Sequence, residues 1–377
     1  MIREEIFYIM LYGAAAMLSL TACCYLLFRR ANAIAPDVTT PVRLRRWTAA
    51  FFASMALSHV WYLPVFFLSS SEDLLVSNII GAMLDFMTLI PSAIIVLFSM
   101  LQDRRWLQWP VFAMTAPFVV GLTVYGFSRS PVLLPILYTY YLALGVGLII
   151  YMVRATRQYG RWLRDNYADL EHKEVWQSFF VLAAILLVFT IYALEPHAPA
   201  YKYITQLNGI ILVCYLVWRV ETLSDLSATA QDVEDVKDCK SPSADADDNG
   251  LPQTIHDKIG PLLQRHCIDQ QLYLQHDLTI SQLALAIGTN RFYLSQYFSR
   301  QGITYNNYIN SLRIDQFMRL YREAVATQRH FTVQQLAAES GFRSYRTFSD
   351  VFKRKTGQSV TVWMKGQESA EVAESAK

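Results

Sequence analysis

Two sets of side chains have the types and spacing needed to read the edges of nucleobases. Asn290, Arg291, Ser295, Gln296 and Ser299 form the first; Ser344, Tyr345, Arg346, Ser349 and Asp350 form the second. Arginine and glutamine can make paired hydrogen bonds to guanine or adenine, worth about 1–3 kcal/mol of discrimination each. Arg300, Lys353, Arg354 and Lys355 come later and suit phosphates, contacts that set register without sequence information. Within each set apolar residues recur four apart, Leu294 with Phe298 and Phe348 with Phe352. That is the spacing of a helix with one buried edge and one polar face.

The elements that would position these helices are legible upstream of each. Thr279-Ile280-Ser281-Gln282-Leu283-Ala284 leads to Gly288, and Thr332-Val333-Gln334-Gln335-Leu336-Ala337 leads to Gly341, 53 residues on. Past the glycines the offset is 54, so the second turn holds one extra residue. Thr279 with Gln282, and Thr332 with Gln335, have capping-box spacing, in which hydroxyl and amide satisfy N–H groups at a helix start. Leu283, Ala284, Leu336 and Ala337 supply apolar edges, the alanines permitting a close helix crossing. Gly288 and Gly341 stand where a sharp turn calls for a positive φ. The two phrases therefore predict two helix-turn-helix units, each presenting a polar helix face to a major groove.

The segment from about Ile255 to Trp363 resembles the DNA-binding domain of the AraC/XylS family of bacterial transcription regulators. The matching residues are Tyr293-Leu294-Ser295-Gln296-Tyr297-Phe298, Gly302-Ile303-Thr304-Tyr305, Tyr308-Ile309-Asn310, Arg313-Ile314, Gly341-Phe342, Phe348-Ser349, Phe352-Lys353-Arg354 and Gly357-Gln358-Ser359. The family usually has proline where Val360 stands and often a basic residue where Asp350 stands. The resemblance implies sequence-specific binding of double-stranded DNA, with no enzymatic step and no cofactor or metal.

Charge supports the same partner. Residues 254–365 carry fourteen Lys or Arg against seven Asp or Glu, a net charge of +7 in a chain whose formal total is only +2. Such segregation suits nucleic acid. Between the two phrases, roughly Tyr305 to Ala326 reads as one helix about 30 Å long at 1.5 Å per residue. That length can hold two reading helices near the ~34 Å repeat of successive groove faces.

The first 220 residues have a different composition. The chain is 53% hydrophobic and 17% charged, with mean hydropathy +0.22, too apolar for an ordinary soluble protein. Seven apolar runs, at about 7–28, 48–68, 76–99, 107–127, 132–153, 175–194 and 203–218, each approach the ~20 residues that cross a bilayer core. Pro64, Pro91, Pro110, Pro117 and Pro135 suggest kinks. Arg29, Arg30, Arg43, Arg45, Arg46, Arg104, Arg105, Arg154, Arg157, Arg161, Arg164 and Lys173 all fall in odd loops, whereas even loops hold only Arg129 and Lys202. The positive-inside rule then puts the N-terminus outside and the C-terminus in the cytoplasm, at a bacterial inner membrane. Leu20-Thr21-Ala22-Cys23 imitates a lipoprotein cleavage box, but the apolar run continues through Phe28, and Glu4 and Glu5 spoil a basic leader.

Ionisable residues within spans are costly, about 2.5–3.5 kcal/mol each, and so mark sensing candidates. His59 and Asp85 lie at similar depth on successive spans, with Asn78, Gln206 and Asn208 as further polar glue; Glu195 and His197 are loop candidates. Beyond the last span, Leu216, Leu223, Leu226, Ala230 and Val233 have a heptad rhythm, predicting a coupling helix that pairs two protomers. Residues 238–250 are acidic and rich in Ser, Asp and Ala, as in a disordered linker. Cys23, Cys24, Cys214, Cys239 and Cys267 have no metal spacing and imply no disulfide framework.

The expectation is an all-α chain in four parts: a seven-helix transmembrane bundle (1–220), an acidic coupling helix and linker (221–253), an AraC-type double helix-turn-helix (254–365) and a disordered tail (366–377). Its expected role is a one-component, membrane-integral transcription regulator. The expected partners are DNA, the bilayer, a second copy, RNA polymerase and a small-molecule or physical signal. Two alternatives are a transporter or membrane enzyme with a DNA-binding reporter, and a passive tether. No HExxH motif, intramembrane aspartate pair, nucleophile motif or hydropathy repeat favours an enzyme or transporter.

Overall fold

The structure, a computed structural model, describes residues 2–103, 107–193, 201–226 and 253–375, and these are helical with no strand among them. The described residues divide into two compact units. Met1–Gly160 with His172–Asp232 form one; Arg161–Glu171 with Val233–Lys377 form the other.

The first unit is built from α1 (Ile2–Phe28), α2 (Val42–Trp61), α3 (Ser71–Met87), α4 (Leu89–Ser99), α5 (Trp109–Ser128), most of α6 (Leu133–Asn166), α7 (Trp176–Ala193) and α8 (Tyr201–Thr222). Six helical stretches among the described residues are long and apolar enough to cross a membrane, with mean hydropathy between 1.3 and 2.1. The sixth expected run, 175–194, falls on α7, whose described apolar stretch, Trp176–Ile185, is shorter than a span. The expected third span is two helices: the backbone breaks at Thr88, where φ is −126°. Pro64 opens a 3-10 turn, and Pro110 and Pro135 lie in first turns, where a missing N–H costs no helical bond. Pro91 follows the Thr88 break by three residues, so the expected kink falls there, where a proline ring crowds the carbonyl four residues back. Only Pro117 stands inside its helix. Large apolar side chains such as Phe127, Ile136 and Leu142 are exposed, which suits helices solvated by lipid rather than water.

An ion pair marks each end of this bundle. At one end Arg129 donates to Glu72 at 2.8 Å, in partial contact with solvent. At the other, Arg29 at the foot of α1 pairs with Glu221 at the foot of α8, and both side chains are buried. Glu221 also accepts from Tyr25 Oη at 3.3 Å and from the Ala33 amide at 3.1 Å. The C-terminal ends of α1 and α8 therefore lie side by side.

Past that cluster the helix expected to run straight on from the last span does not continue through residues 223–226. α8 stops at Thr222, and Leu223 and Leu226 are buried within the first unit instead of continuing a heptad. Non-helical backbone replaces the helix because neighbours satisfy it. Ser224 N donates to His172 O at 2.9 Å, Asp225 N to Thr39 O at 2.7 Å and Leu226 N to Gln102 Oε1 at 2.9 Å. Ala230, Val233 and the linker to residue 250 lie outside the described residues, as do Glu195, His197, Arg104 and Arg105.

The second unit contains α9 (Gln253–Leu263), α10 (Ile280–Ala286), α11 (Arg291–Arg300), α12 (Tyr305–Ala326), α13 (Val333–Glu339), α14 (Tyr345–Thr356) and α15 (Val360–Ser375). α12 carries two cores. Its first half gives Tyr305 and Ile309 to a cluster with Leu283, Ala284, Leu294 and Phe298; its second half gives Ile314, Phe317 and Tyr321 to one with Leu336, Ala337, Phe348 and Phe352. Val360 begins α15 where the family resemblance leads one to expect proline. It is buried in the second core, so packing replaces the fixed φ of proline at a first helical position. α15 runs to Ser375 rather than giving way to a disordered tail at 366, because Gln367, Glu368, Ala370, Glu371 and Ala373 are good helix formers.

Candidate nucleic-acid interface

Both capping boxes form. Thr279 N donates to Gln282 Oε1 at 2.9 Å while Gln282 N donates to Thr279 Oγ1 at 3.2 Å; for Thr332 and Gln335 the distances are 2.9 and 3.1 Å. The turns behave as their glycines require, with φ of +72° at Gly288 and +90° at Gly341. Thr289 and Asn290 separate the first glycine from α11, which begins at Arg291; Phe342, Arg343 and Ser344 separate the second from α14, which begins at Tyr345. The longer second turn makes room for Phe342, which is buried in the second core.

The buried edges of the reading helices are Leu294 with Phe298 and Phe348 with Phe352, each nearly inaccessible. At 3.6 residues per turn the side chains on the opposite face are Phe292, Gln296, Ser299 and Arg300 on α11, and Arg346, Asp350, Lys353 and Arg354 on α14. Ser295 and Ser349 flank these sets, whereas Arg291 and Tyr345 stand three residues before Leu294 and Phe348, on the side of the buried edges, at the first positions of their helices. Arg291, Ser299, Arg300, Tyr345, Arg346, Asp350, Lys353 and Arg354 are exposed, while Ser295, Gln296 and Ser349 are half-buried.

Three of the residues assigned from sequence have another task. Asn290 and Ser344 are the N-caps of the two reading helices, accepting from Tyr293 N at 2.9 Å and Thr347 N at 3.3 Å. Lys355 has a partner on α12: its Nζ donates to Asp315 Oδ1 at 2.6 Å and Ser311 O at 2.8 Å. Conversely, Phe292 is absent from the base-reading set that the sequence pattern picks out, yet it is 68% exposed at the start of α11. An exposed ring there can meet a thymine methyl. The signal that could have found it is its place opposite Leu294 and Phe298, which no core residue can occupy.

Arg313 holds the two halves together. It is 1% exposed, donating from Nε to Tyr273 O and from Nη2 to Gln275 O, both at 2.8 Å, with its guanidinium 5.7 Å from the Phe342 ring. Burial pulls its pKa below the ordinary arginine value, against the raising influence of Tyr305, Asp169 and Asp277. A Cβ on Gly341 would lie 2.8 Å from Leu274 Cα and 3.2 Å from Arg313 Nε, so this glycine serves close approach as well as φ. Cys267, fully buried, has its thiol pushed up to about 12 by burial and is inert at neutral pH.

In the first unit, His59 and Asp85 hydrogen-bond to separate partners. His59 Nδ1 faces Met55 O at 2.7 Å and Nε2 faces Gln206 Oε1 at 3.0 Å, with the Tyr12 ring edge-on at 4.7 Å. Asp85 accepts from Trp61 Nε1 at 3.1 Å and is bonded by Ser58 and Tyr62 as well. Both therefore gather on the last turn of α2. Among the described residues no group of His, Cys, Asp and Glu could hold a metal ion.

Comparison with known protein families matches residues 271–366 to a helix-turn-helix domain. No curated protein and no solved structure matches the chain. The matched residues include both capped turns, both reading helices and the whole of α12. Residues 271–366 of this chain are a helix-turn-helix domain of the AraC type, preceded by helices apolar enough to span a membrane.

Proposed function

We propose that this protein is a membrane-integral, sequence-specific DNA-binding transcription regulator that couples a signal at the membrane or its outer face to gene expression. The observation that carries the reading is the pair of capped reading helices on one 22-residue helix, α12, which at 1.5 Å per residue is about 33 Å long. That length suits two successive major-groove faces on one side of a duplex. Base contacts are assigned to Arg291, Phe292, Ser295, Gln296, Ser299, Tyr345, Arg346, Ser349 and Asp350, and phosphate contacts to Arg300, Lys353 and Arg354. The apolar helices support insertion in the bacterial inner membrane, and the arginine-rich odd loops support a cytoplasmic C-terminus.

His59 with Gln206, and Asp85 with Trp61, are the proposed sensing groups. Nδ1 of His59 faces the Met55 carbonyl, which can only accept, so Nδ1 carries a proton, and Gln206 stands at Nε2. A second copy and RNA polymerase are the proposed protein partners.

The test is selection of duplexes from a random pool by full-length protein in nanodiscs, with a fluorescent reporter fused after Lys377 in cells. The reading requires an enriched sequence and cytoplasmic fluorescence. Absence of enrichment, or a reporter active only in the periplasm, overturns it.

A further inference from the structure

The second unit includes a segment from far outside the matched domain. α6 runs as one helix from its apolar residues to Asn166, and the chain then lies against the start of the first helix-turn-helix. Ala168 N donates to Leu278 O at 3.2 Å, and Tyr167 pairs antiparallel with Thr279, the N-cap of α10. From α12, Asn306 Nδ2 donates to Tyr167 O at 3.1 Å and Ala168 O at 2.7 Å, and Asn310 Nδ2 donates to Ala168 O at 3.0 Å. Ala168 is 1% exposed, part of the same core as Leu283, Leu294 and Phe298, and Asn306 and Asn310 are nearly as buried.

The contact reaches further than the first half. Asn310 Oδ1 accepts from Arg313 Nη1 at 3.4 Å, and Arg313 stands against Phe342 and Gly341 in the second turn. Asp169, buried, accepts at Oδ1 from Glu171 N at 3.0 Å, while its buried Oδ2 has no hydrogen-bond partner among the described residues. This short segment thus touches the N-cap of the first reading unit directly and the turn of the second through Asn310 and Arg313.

We propose that the surface formed by Leu278, Thr279, Asn306 and Asn310 is a docking site for an extended backbone, that its occupant is residues 166–169 of this chain, and that occupancy sets DNA affinity by fixing the two reading helices in register. The recognition is of main-chain carbonyls and a small side chain, so it accepts a strand whose central residue is no larger than alanine. It gives the end of α6 a direct mechanical input to the DNA-binding domain. Two-state coupling requires reciprocity: if docking favours DNA binding, DNA binding favours docking.

This inference rests on the DNA-binding reading, and the experiment separates the two. Full-length protein in nanodiscs is followed by amide hydrogen exchange with and without its selected duplex, alongside Asn306→Ala/Asn310→Ala and Ala168→Glu. The second variant ejects the segment without altering any helix of the DNA-binding domain, should the first fail to fold. Exchange across 166–169 should slow at least fivefold on DNA addition, and either variant should raise Kd at least fivefold while speeding exchange there. If wild type binds no duplex, the function itself is wrong. If wild type binds, but exchange at 166–169 ignores DNA or a folded variant with a loosened segment keeps the wild-type Kd, the docking proposal is overturned.

Discussion

The guanidinium of Arg313 lies 5.7 Å from the ring of Phe342, joining the middle of α12 to the turn of the second reading unit. The same side chain satisfies Tyr273 O and Gln275 O, which precede the first. One buried cation therefore ties both reading units to one helix.

Replacing it should be costly. Arg313→Ala leaves the buried Tyr273 carbonyl without a donor, at about 1–3 kcal/mol, removes the part-buried bond to Gln275 O, and empties a buried site. Chemical denaturation of the full-length protein should show a loss of at least about 2 kcal/mol for the DNA-binding domain, and Arg313→Lys, which cannot reproduce the fork, should recover less than half. A loss within about 1 kcal/mol would mean the hydrogen bonds are not made.

The two turn glycines should differ. Both have positive φ, so alanine costs about 1–2 kcal/mol at either. Gly288 has open space where a methyl would stand, whereas at Gly341 a methyl would meet backbone of Leu274. Gly341→Ala should therefore destabilise the domain by at least about 1 kcal/mol more than Gly288→Ala. Equal losses in parallel denaturation curves would contradict the close approach.

Base and phosphate contacts should separate by salt and sequence. Arg346→Ala should weaken the selected duplex by about 1–3 kcal/mol and random DNA far less. Phe292→Ala should relax preference at one position, read from the enriched sequence. Lys353→Ala should weaken both duplexes alike and lower the salt slope by about one contact. Equal loss on both duplexes for Arg346→Ala would reassign it to phosphate.

Cys267 should be silent to alkylation. With its thiol pushed up to about 12 by burial, almost none is thiolate at pH 8. Because the folded pKa lies above the unfolded value, the neutral thiol favours the fold at lower pH, and this is lost as pH rises from about 9 towards 12. Site-resolved mass spectrometry should find Cys267 unmodified by iodoacetamide at pH 8 until denaturant is added; rapid native labelling would show the site opens.

Much of the fold and of the candidate reading face is legible in the sequence because the signals are local. Thr279, Gln282 and Gly288 announce a capped helix and a turn within ten residues, and their repetition at Thr332, Gln335 and Gly341 sets the register. The candidate spans follow from run length, though Thr88 and the early prolines refine them. What sequence alone does not reveal depends on distant partners. Leu223 and Leu226 fit a heptad, but Thr39, Gln102 and His172 offer the backbone beside them better company. Lys355 has the place of a phosphate ligand, but Asp315 stands beside it. The segment 166–169 has no periodicity at all, since a single bridge and two asparagine side chains define it.

The most direct measurement is hydroxyl-radical footprinting of the selected duplex with full-length protein. Two protected patches on one face are expected, their centres about one helical turn apart, roughly 34 Å. Protection of one patch only, or of patches on opposite faces, would contradict a single chain reading two grooves from α12.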